Sequence, residues 1–260
     1  MKVVLFCGGR GTRLAGPGGG DVPKPMISIG YRPILWHVMK YYAHFGHQDF
    51  ILCLGYRADA IKDYFLHYDE AVSNDFVLTD GGRQVQLMRS DIDDWTITFV
   101  DTGVSASIGE RLKAVEPYLD GEEYFLVNYS DGLTDLDLNR YIEDMQCQDR
   151  VLALLSVRPE LTLHAVSADE QGRVGAIIPM SETDLWINGG YFLCKQEVFE
   201  YLQEGEDLVG PATDRLIAAG ELVAYRYSGF WKGMDTFRDK QELEELWEKG
   251  RAPWEVWKCS

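Results

Sequence analysis

The 260-residue sequence predicts a doubly wound α/β fold, in which helices flank a mixed, mainly parallel sheet that carries small antiparallel β insertions. Two observations lead to this prediction. Short apolar runs, which are typical of buried parallel strands, alternate with longer segments whose apolar residues recur at helical spacing. Over the first 68 residues the order is strand, helix, strand, helix. Right-handed crossovers turn this order into neighbouring parallel strands.

The elements of the first part of the chain follow one another regularly. Strand-like runs lie at residues 3–7, 50–56, 124–129 and 151–157, and helical patterns lie at 33–45, 58–68, 108–119 and 138–148. Three further strand-like runs lie between residues 75 and 101, and a turn signal, Asp-Gly-Gly at 80–82, separates the first two. We expect an antiparallel hairpin there, inserted into the α/β pattern.

The second part of the chain is less periodic. Strands are predicted at residues 175–178, 190–194 and 222–227, a short helix at 214–219 and a long charged helix at 237–249. Internal repeats, low-complexity tracts and linkers are absent from the sequence. We therefore expect a single domain over residues 1–260.

Composition argues against several classes of protein. With 42 acidic and 25 basic residues the formal net charge is −17, which disfavours nucleic acid or an anionic membrane as a partner but not a small anionic ligand. No apolar stretch reaches the roughly 18 residues that a membrane helix needs. The five cysteines are scattered without CxxC spacing, so neither a disulfide framework nor a zinc site is expected. Cys7, Cys53 and Cys194 lie in apolar runs and are expected to pack as small buried hydrophobes, which indicates a reducing cytoplasm. No signal peptide is expected, because the first strand begins directly after Met1 and Lys2.

A glycine-rich loop follows the first predicted strand. The strand stops at Gly8 and Gly9, Gly11 comes shortly after, and Arg13 and Lys24 add positive charge. Such a loop lets its backbone approach a ligand closely and directs N–H groups at an anion. By itself the loop fits a phosphate cradle and a tight strand-to-helix turn with two surface cations equally well.

Two aspartates occupy positions that suit a metal site. Asp131 directly follows a predicted core strand, and Asp235 lies in a turn after an aromatic run. Carboxylates at strand ends are natural ligands for a hard divalent cation, although each aspartate alone is more simply a turn or cap residue. Together with the glycine loop, Arg13 and Lys24, they supply the parts for phosphoryl or nucleotidyl transfer, in which cations stabilise charge on phosphorus and on the leaving group.

Several segments resemble one enzyme family. The run Gly-Gly-Arg-Gly-Thr-Arg-Leu at residues 8–14, followed by Pro-Lys-Pro-Met at 23–26, is similar to the signature of the sugar-1-phosphate nucleotidyltransferases. Within that family the chain most resembles the glucose-1-phosphate cytidylyltransferases. Supporting segments are Gly-Glu-Arg-Leu-Lys at 109–113, Ile-Asn-Gly-Gly at 187–190, Gly-Phe-Trp at 229–231, Met-Asp-Thr at 234–236 and the tail at 246–254.

The resemblance implies a Rossmann-like fold and a nucleoside triphosphate, CTP in preference to UTP, at the glycine loop. Gly8, Gly9 and Gly11 would lie against the base, ribose and phosphates. Arg111 matches the region of the family that contacts the pyrimidine. The phosphates would be held by Thr12, Arg13 and Lys24.

The same resemblance implies a metal-assisted reaction. Asp131 and Asp235 match the Mg²⁺ ligands of the family, and Arg13 and Lys24 complete its catalytic group. A phosphate oxygen of a phosphorylated small-molecule acceptor would attack the α-phosphorus in line, and pyrophosphate would leave. A covalent intermediate on the protein is not needed, which agrees with the absence of a Ser/His or Cys/His arrangement in the sequence.

The resemblance also divides the chain into a donor half, about residues 1–135, and an acceptor half, about residues 136–260. It implies a homo-oligomer. The aromatic tail with Trp254 and Trp257 either contributes to a subunit interface or packs back onto its own subunit.

The acceptor half departs from the family pattern. A Glu-Lys-Pro segment, whose lysine grips the sugar phosphate in the family, corresponds here to residues 177–182, which contain no lysine. Either the acceptor is not glucose-1-phosphate or another cation takes this place, and the candidates are Arg158, Arg173 and Lys232. Asn188 and Tyr191 are available to shape an acceptor pocket, although a strand turn and a core aromatic explain them equally well.

Three other functions remain open from the sequence. Cytidylyl transfer to a phosphonate or another non-sugar phosphate would tolerate the altered acceptor half. A nucleotide-binding relative without turnover is disfavoured by the joint presence of the four catalytic candidates. A glycosyltransferase that uses a preformed nucleotide sugar usually needs a DxD motif, which residues 135–137 match only in spacing, at the start of a predicted helix.

Overall fold

The structure is a computed structural model that describes residues 1–9, 22–159 and 163–258. In these ranges the strands are β1 (Lys2–Phe6), β2 (Ser28–Ile29), β3 (Arg32–Pro33), β4 (Asp49–Leu54), β5 (Phe76–Thr79), β6 (Gln84–Leu87), β7 (Thr96–Asp101), β8 (Tyr124–Asn128), β9 (Gly132–Thr134), β10 (Leu152–Val157), β11 (His164–Ala168), β12 (Val174–Pro179), β13 (Ile187–Lys195), β14 (Leu222–Tyr227) and β15 (Trp231–Gly233). The helices are α1 (Ile34–His44), α2 (Ala58–Leu66), α3 (Ile108–Val115), α4 (Leu138–Gln148), α5 (Thr213–Ala219) and α6 (Phe237–Glu248).

The main sheet has seven strands in the order β14-β10-β13-β8-β1-β4-β7. Neighbouring strands run parallel except β13, which is antiparallel to both β8 and β10. This arrangement confirms the predicted mixed, mainly parallel, doubly wound fold. Strands from the predicted donor half and from the predicted acceptor half lie side by side in this sheet.

Two apolar layers cover opposite faces of the sheet. Along β1 the buried side chains alternate: Val3 and Leu5 face the layer that contains α1, α2, α4 and α6, whereas Val4 and Phe6 face the layer that contains α3 and α5. A strand buried on both faces needs apolar residues at every position. This explains why the apolar run at the start of the chain predicted β1 so clearly.

The smaller sheets agree with the sequence in part. The predicted antiparallel hairpin is present as β5 and β6, whereas the third strand-like run, β7, joins the edge of the main sheet parallel to β4. The sequence did not predict β11, which pairs with β12, because most of its residues are exposed and show no regular alternation of apolar and polar side chains. The helix predicted at 108–119 ends at Val115 and continues as a 3-10 turn, since Pro117 has no N–H for the next helical hydrogen bond.

Three cysteines pack as small apolar residues, as expected. Cys7, Cys53 and Cys194 are buried and have free thiols. Across residues 1–9, 22–159 and 163–258, no helix combines the length and the apolar character that crossing a membrane requires.

The aromatic tail packs back onto its own subunit. Trp254 is fully buried, its ring stacks on Phe230, and its Nε1 donates a hydrogen bond to Nδ1 of His37 over 3.3 Å. The other ring nitrogen of His37, Nε2, lies 3.0 Å from the carbonyl oxygen of Ile29. A carbonyl oxygen can only accept, so the proton of the neutral ring is on Nε2. His37 thereby ties the tail to α1.

We expect the free energy of unfolding to decrease as the pH is lowered from about 6.5 towards 4. Burial lowers the pKa of His37 from its usual 6.5 to about 4, and burial also lowers the pKa of His47 to about 4. The unfolded chain takes up these protons first, so stability is complete above the unfolded pKa and is lost as the pH falls towards the folded pKa. A proton on Nδ1 of His37 would in addition oppose the N–H of Trp254. Denaturant titrations across this pH window measure the effect.

The histidine that carries this effect is identified by a matched pair of variants. His37→Gln should show a shallower pH dependence than the wild type, because one of the two histidines with a lowered pKa is then missing. His67→Gln, which changes an exposed histidine, should keep the wild-type slope. An unchanged slope in His37→Gln would contradict the assignment.

Candidate active site

A cavity of about 390 Å³ opens at the carboxyl ends of β1, β7 and β8. In open, doubly wound sheets this edge is where ligands bind. The described lining residues are Phe6, Gly8, Gly9, Lys24, Pro25, Val104, Ala106, Ser107, Ile108, Arg111, Tyr129, Ser130, Asp131 and Asp207. Lys24 and Asp131 are charged members of this lining. Val104, Ala106 and Ile108 are apolar members, and they belong to the segment that leads into and begins α3.

Lys24 joins the two aspartates that the sequence singled out. Its Nζ lies 2.7 Å from Oδ2 of Asp131 and 2.7 Å from Oδ1 of Asp235. The lysine side chain is 15% exposed, against 30% for Asp131 and 62% for Asp235. Burial raises the pKa of Asp131, and the charge of Lys24 opposes that rise. Burial by itself would lower the pKa of Lys24, but the neighbouring carboxylates outweigh it and the pKa lies above its usual value.

Two short strands bring these distant aspartates together. β9 pairs antiparallel with β15, with Gly132 opposite Gly233, so the residue before β9 and the segment after β15 meet. Met234 donates its backbone N–H to the carbonyl oxygen of Asp131 over 2.8 Å. Neither short strand was predicted as such, since three-residue strands give no periodic signal.

A sharp turn aims Asp131 into the cavity. Ser130 is buried and has a φ of 61°, a left-handed conformation that is uncommon for serine. Its backbone N–H donates to Oδ1 of Asn128 over 2.6 Å, and its hydroxyl donates to the carbonyl oxygen of Phe6 over 2.6 Å. Ser130 was not among the predicted site residues, and its signal in the sequence was a polar Asn-Tyr-Ser segment that ends a core strand just before Asp131.

Arg111 holds the ends of three neighbouring strands together. It is 3% exposed and donates to the carbonyl oxygens of Leu54 and Gly8, over 3.1 and 3.3 Å, and to the hydroxyl of Thr102 over 2.7 Å. Burial lowers its pKa from the usual value. Arg111 also lines the cavity, so its predicted contact with the base remains compatible with this structural role.

The two first glycines of the loop differ in what surrounds them. A Cβ on Gly8 would lie 2.0 Å from Nη1 of Arg111, whereas a Cβ on Gly9 would have no described neighbour within 4 Å. Gly8 therefore makes room for the buried guanidinium, and Gly9 leaves the cavity wall open.

We expect Gly8→Ala to destabilise the protein by about 1–3 kcal/mol, because the guanidinium of Arg111 must move and give up its buried hydrogen bonds. Gly9→Ala should leave the melting temperature unchanged. If the open wall at Gly9 receives nucleotide, the same substitution should raise the KM for the nucleotide. Thermal unfolding and steady-state kinetics separate the two effects, and equal melting temperatures for both variants would contradict this assignment.

The two predicted acceptor residues have different surroundings. Tyr191 is 1% exposed, stacks on Tyr42 and donates its hydroxyl to the carbonyl oxygen of Gly132 over 2.8 Å. Tyr191 is therefore a core aromatic that supports β9. This corrects the expectation that it contacts the substrate directly. Asn188 donates its amide to the hydroxyl of Tyr129 over 3.2 Å, and Tyr129 lines the cavity.

The candidate replacement cations lie elsewhere. Arg158 donates to the carbonyl oxygen of Thr183, Arg173 pairs with Asp169, and Lys232 pairs with Glu242. These three cations are absent from the described lining of the cavity. The predicted contacts of Gly11, Thr12 and Arg13 fall outside the described residues.

The two aspartates suit a Mg²⁺ ion whose remaining ligands come from the substrate and water. Within the described ranges no group of three or more His, Cys, Asp or Glu side chains could hold a metal ion. Mg²⁺ usually takes only one or two carboxylates and completes its coordination with phosphate oxygens and water. Asp131 and Asp235 supply two hard oxygen donors at one point and match that requirement.

Comparisons with known proteins agree with this geometry. The family described as nucleotidyl transferase matches residues 2–248. The glucose-1-phosphate cytidylyltransferase of Salmonella typhi is 38% identical over 265 aligned residues, covering 99% of this chain and 100% of that protein. The probable glucose-1-phosphate cytidylyltransferase of Bacillus subtilis (strain 168) is 36% identical, with 99% and 100% covered.

Solved structures support the fold. A UDP-glucose pyrophosphorylase complexed with UDP-glucose superimposes with a TM-score of 0.68 at 16% identity, covering 96% of this chain and 99% of that one. Because the sequence match extends over nearly the whole chain and the sheet has the same architecture, this protein belongs to the nucleotidyl transferase family.

Proposed function

We propose that this enzyme transfers a cytidylyl group from CTP to a sugar-1-phosphate, releases pyrophosphate and forms a CDP-sugar. The observation that carries the proposal is the contact of Lys24 with Asp131 and Asp235 at a cavity beside the glycine loop. We choose CTP as the nucleotide and glucose-1-phosphate as the first acceptor to test because of the names of the full-length relatives.

The described residues have distinct parts in this reaction. Asp131 and Asp235 would hold Mg²⁺, which neutralises phosphate charge when bound. Lys24, already held at the same point, would stabilise charge on the phosphates. Arg13 stays a predicted second cation. Arg111 and Gly8 keep the strand ends in place beneath the nucleotide.

The bonds balance without a covalent protein intermediate. A phosphate oxygen of the acceptor forms a bond to the α-phosphorus of CTP while the bond from that phosphorus to the bridging oxygen of pyrophosphate breaks. The electron pair of the broken bond leaves on pyrophosphate. Lys24, together with Arg13 as predicted from the sequence, would stabilise that charge, and no described side chain is needed as a nucleophile.

We also propose a cytoplasmic homo-oligomer. Exposed apolar side chains are concentrated on the two peripheral hairpins, among them Phe76, Leu78 and Val85 on β5–β6 and Val166 and Ile177 on β11–β12. Exposed apolar patches commonly mark subunit contacts. Light scattering coupled to gel filtration tests this assembly.

Pyrophosphate release tests the activity. Wild-type enzyme is assayed with CTP, UTP and dTTP, each with glucose-1-phosphate, other sugar-1-phosphates and a phosphonate. We expect the highest rate with CTP and a sugar-1-phosphate. Release only with the phosphonate would replace the sugar acceptor, and no release with any phosphate monoester would refute the proposed acceptor class.

A further inference from the structure

One carboxylate in the cavity has no part in the reaction described above. Asp207 lines the cavity together with Ser107 and Ile108, away from the Lys24 cluster in sequence and on a different loop. A pocket for a polyanionic triphosphate disfavours an additional negative charge, because like charges raise the cost of binding. Asp207 is exposed to solvent, so a ligand that covers it has to replace the lost water contacts with a hydrogen bond to the carboxylate.

The loop that carries Asp207 is fastened to the start of α3. Ser107 donates its hydroxyl to the carbonyl oxygen of Glu206 over 2.9 Å. A Cβ on Gly109 would lie 2.3 Å from the same carbonyl oxygen and 2.9 Å from the backbone nitrogen of Leu208. The absence of a side chain at Gly109 therefore lets the loop approach α3 closely, and this contact fixes the position of Asp207.

The carboxylate itself is oriented and has an acceptor oxygen to spare. The backbone N–H of Leu208 donates to Oδ1 of Asp207 over 2.7 Å. The neighbouring Glu206 is paired with Arg215, whereas the structure gives Asp207 no ion pair within residues 1–9, 22–159 and 163–258. Asp207 and Tyr129 line the same cavity. Burial raises the pKa of Tyr129 to about 12, and the charge of Asp207 adds to that rise.

The surroundings of Asp207 suit a base. Val104, Ala106 and Ile108 offer apolar surface for a flat ring, and Asp207 is the carboxylate beside them. A carboxylate only accepts hydrogen bonds, and among the bases cytosine presents an exocyclic amino group on C4 that only donates. Uracil presents at the same atom a carbonyl oxygen that only accepts, so a carboxylate repels it.

We propose that Asp207 accepts a hydrogen bond from the 4-amino group of cytosine and thereby selects CTP over UTP. This inference rests on the proposed function and names the side chain that sets its nucleotide specificity. The loop contacts of Ser107 and Gly109 would then be positioning contacts that hold Asp207 against the base.

The variant Asp207→Asn tests this assignment, because an amide can turn either its oxygen or its NH₂ group towards the base. We expect the ratio of kcat/KM for CTP to kcat/KM for UTP to fall by about tenfold or more, through a loss with CTP and a gain with UTP. Calorimetric titration of CTP and UTP should show the same change in binding. Asp214→Asn, an exposed aspartate on the following helix, is the matched control and should keep the wild-type ratio.

The outcomes separate this inference from the proposed function. A wild type that uses CTP, together with an Asp207→Asn variant that keeps its ratio, overturns the role of Asp207 alone. A wild type that neither binds nor turns over CTP overturns both. Equal losses with CTP and UTP in Asp207→Asn would show a general effect on the cavity and would also contradict selection by this residue.

Discussion

Replacing Asp131 by asparagine is expected to lower kcat by about 10²- to 10³-fold, the range found when one group that stabilises transition-state charge is removed. The amide keeps the size of the side chain but loses the charge that Mg²⁺ requires. Asp235→Asn should behave in the same way, because both carboxylates touch Lys24 at one point. Pyrophosphate release measures the rate.

The fold must survive for this result to be informative. Circular dichroism and thermal unfolding should match the wild type, since Lys24 retains one carboxylate in each variant. Asp144→Asn serves as the control, because that aspartate pairs with Arg140 on the surface of α4, where ion pairs contribute little. Near-normal rates in both site variants would remove the metal assignment.

Lys24→Met is expected to reduce kcat/KM by about 10²- to 10³-fold, since a charged donor to the phosphates is lost where little water screens it. Methionine preserves the length of the aliphatic stem, so packing against the cavity wall should change little. The loss should appear with every acceptor, because Lys24 lies with the donor machinery.

A matched lysine is available elsewhere in the chain. Lys195 pairs with Asp149 and is 17% exposed, close to the 15% of Lys24, but it lies outside the described lining of the cavity. Lys195→Met should therefore keep wild-type kinetics. If both lysine variants lose activity to the same extent, the effect belongs to general loss of charge rather than to the site.

Much of the fold was accessible from the sequence because its signals are local. The core strands β1, β4 and β8 are apolar at successive positions, and α4 was predicted with the bounds that the structure has, since its apolar residues recur at helical spacing. β11 was missed because it is exposed and lacks alternation. A strand such as β11, which pairs with a single neighbouring strand and is otherwise exposed, leaves no apolar pattern in its own sequence.

The site was harder to predict because its geometry is long-range. Asp131 and Asp235 were paired as metal-ligand candidates from the runs that precede them and from the resemblance, but the β9–β15 contact that joins them has no sequence signal of its own. For Tyr191 the sequence left an acceptor contact and a core position open, and its burial favours the core position. Gly8 was expected to face the nucleotide. In the structure the absence of a side chain at Gly8 makes room for the guanidinium of Arg111.

The most direct test follows labelled phosphorus through one turnover. Wild-type enzyme is mixed with Mg²⁺, glucose-1-phosphate and CTP labelled at the α-phosphorus. If Lys24, Asp131 and Asp235 form the centre of a cytidylyltransferase, the label appears in a CDP-sugar formed in equal amount with unlabelled pyrophosphate, and a chelator stops the reaction. Label that remains in CTP with every sugar-1-phosphate tested would contradict the proposed function.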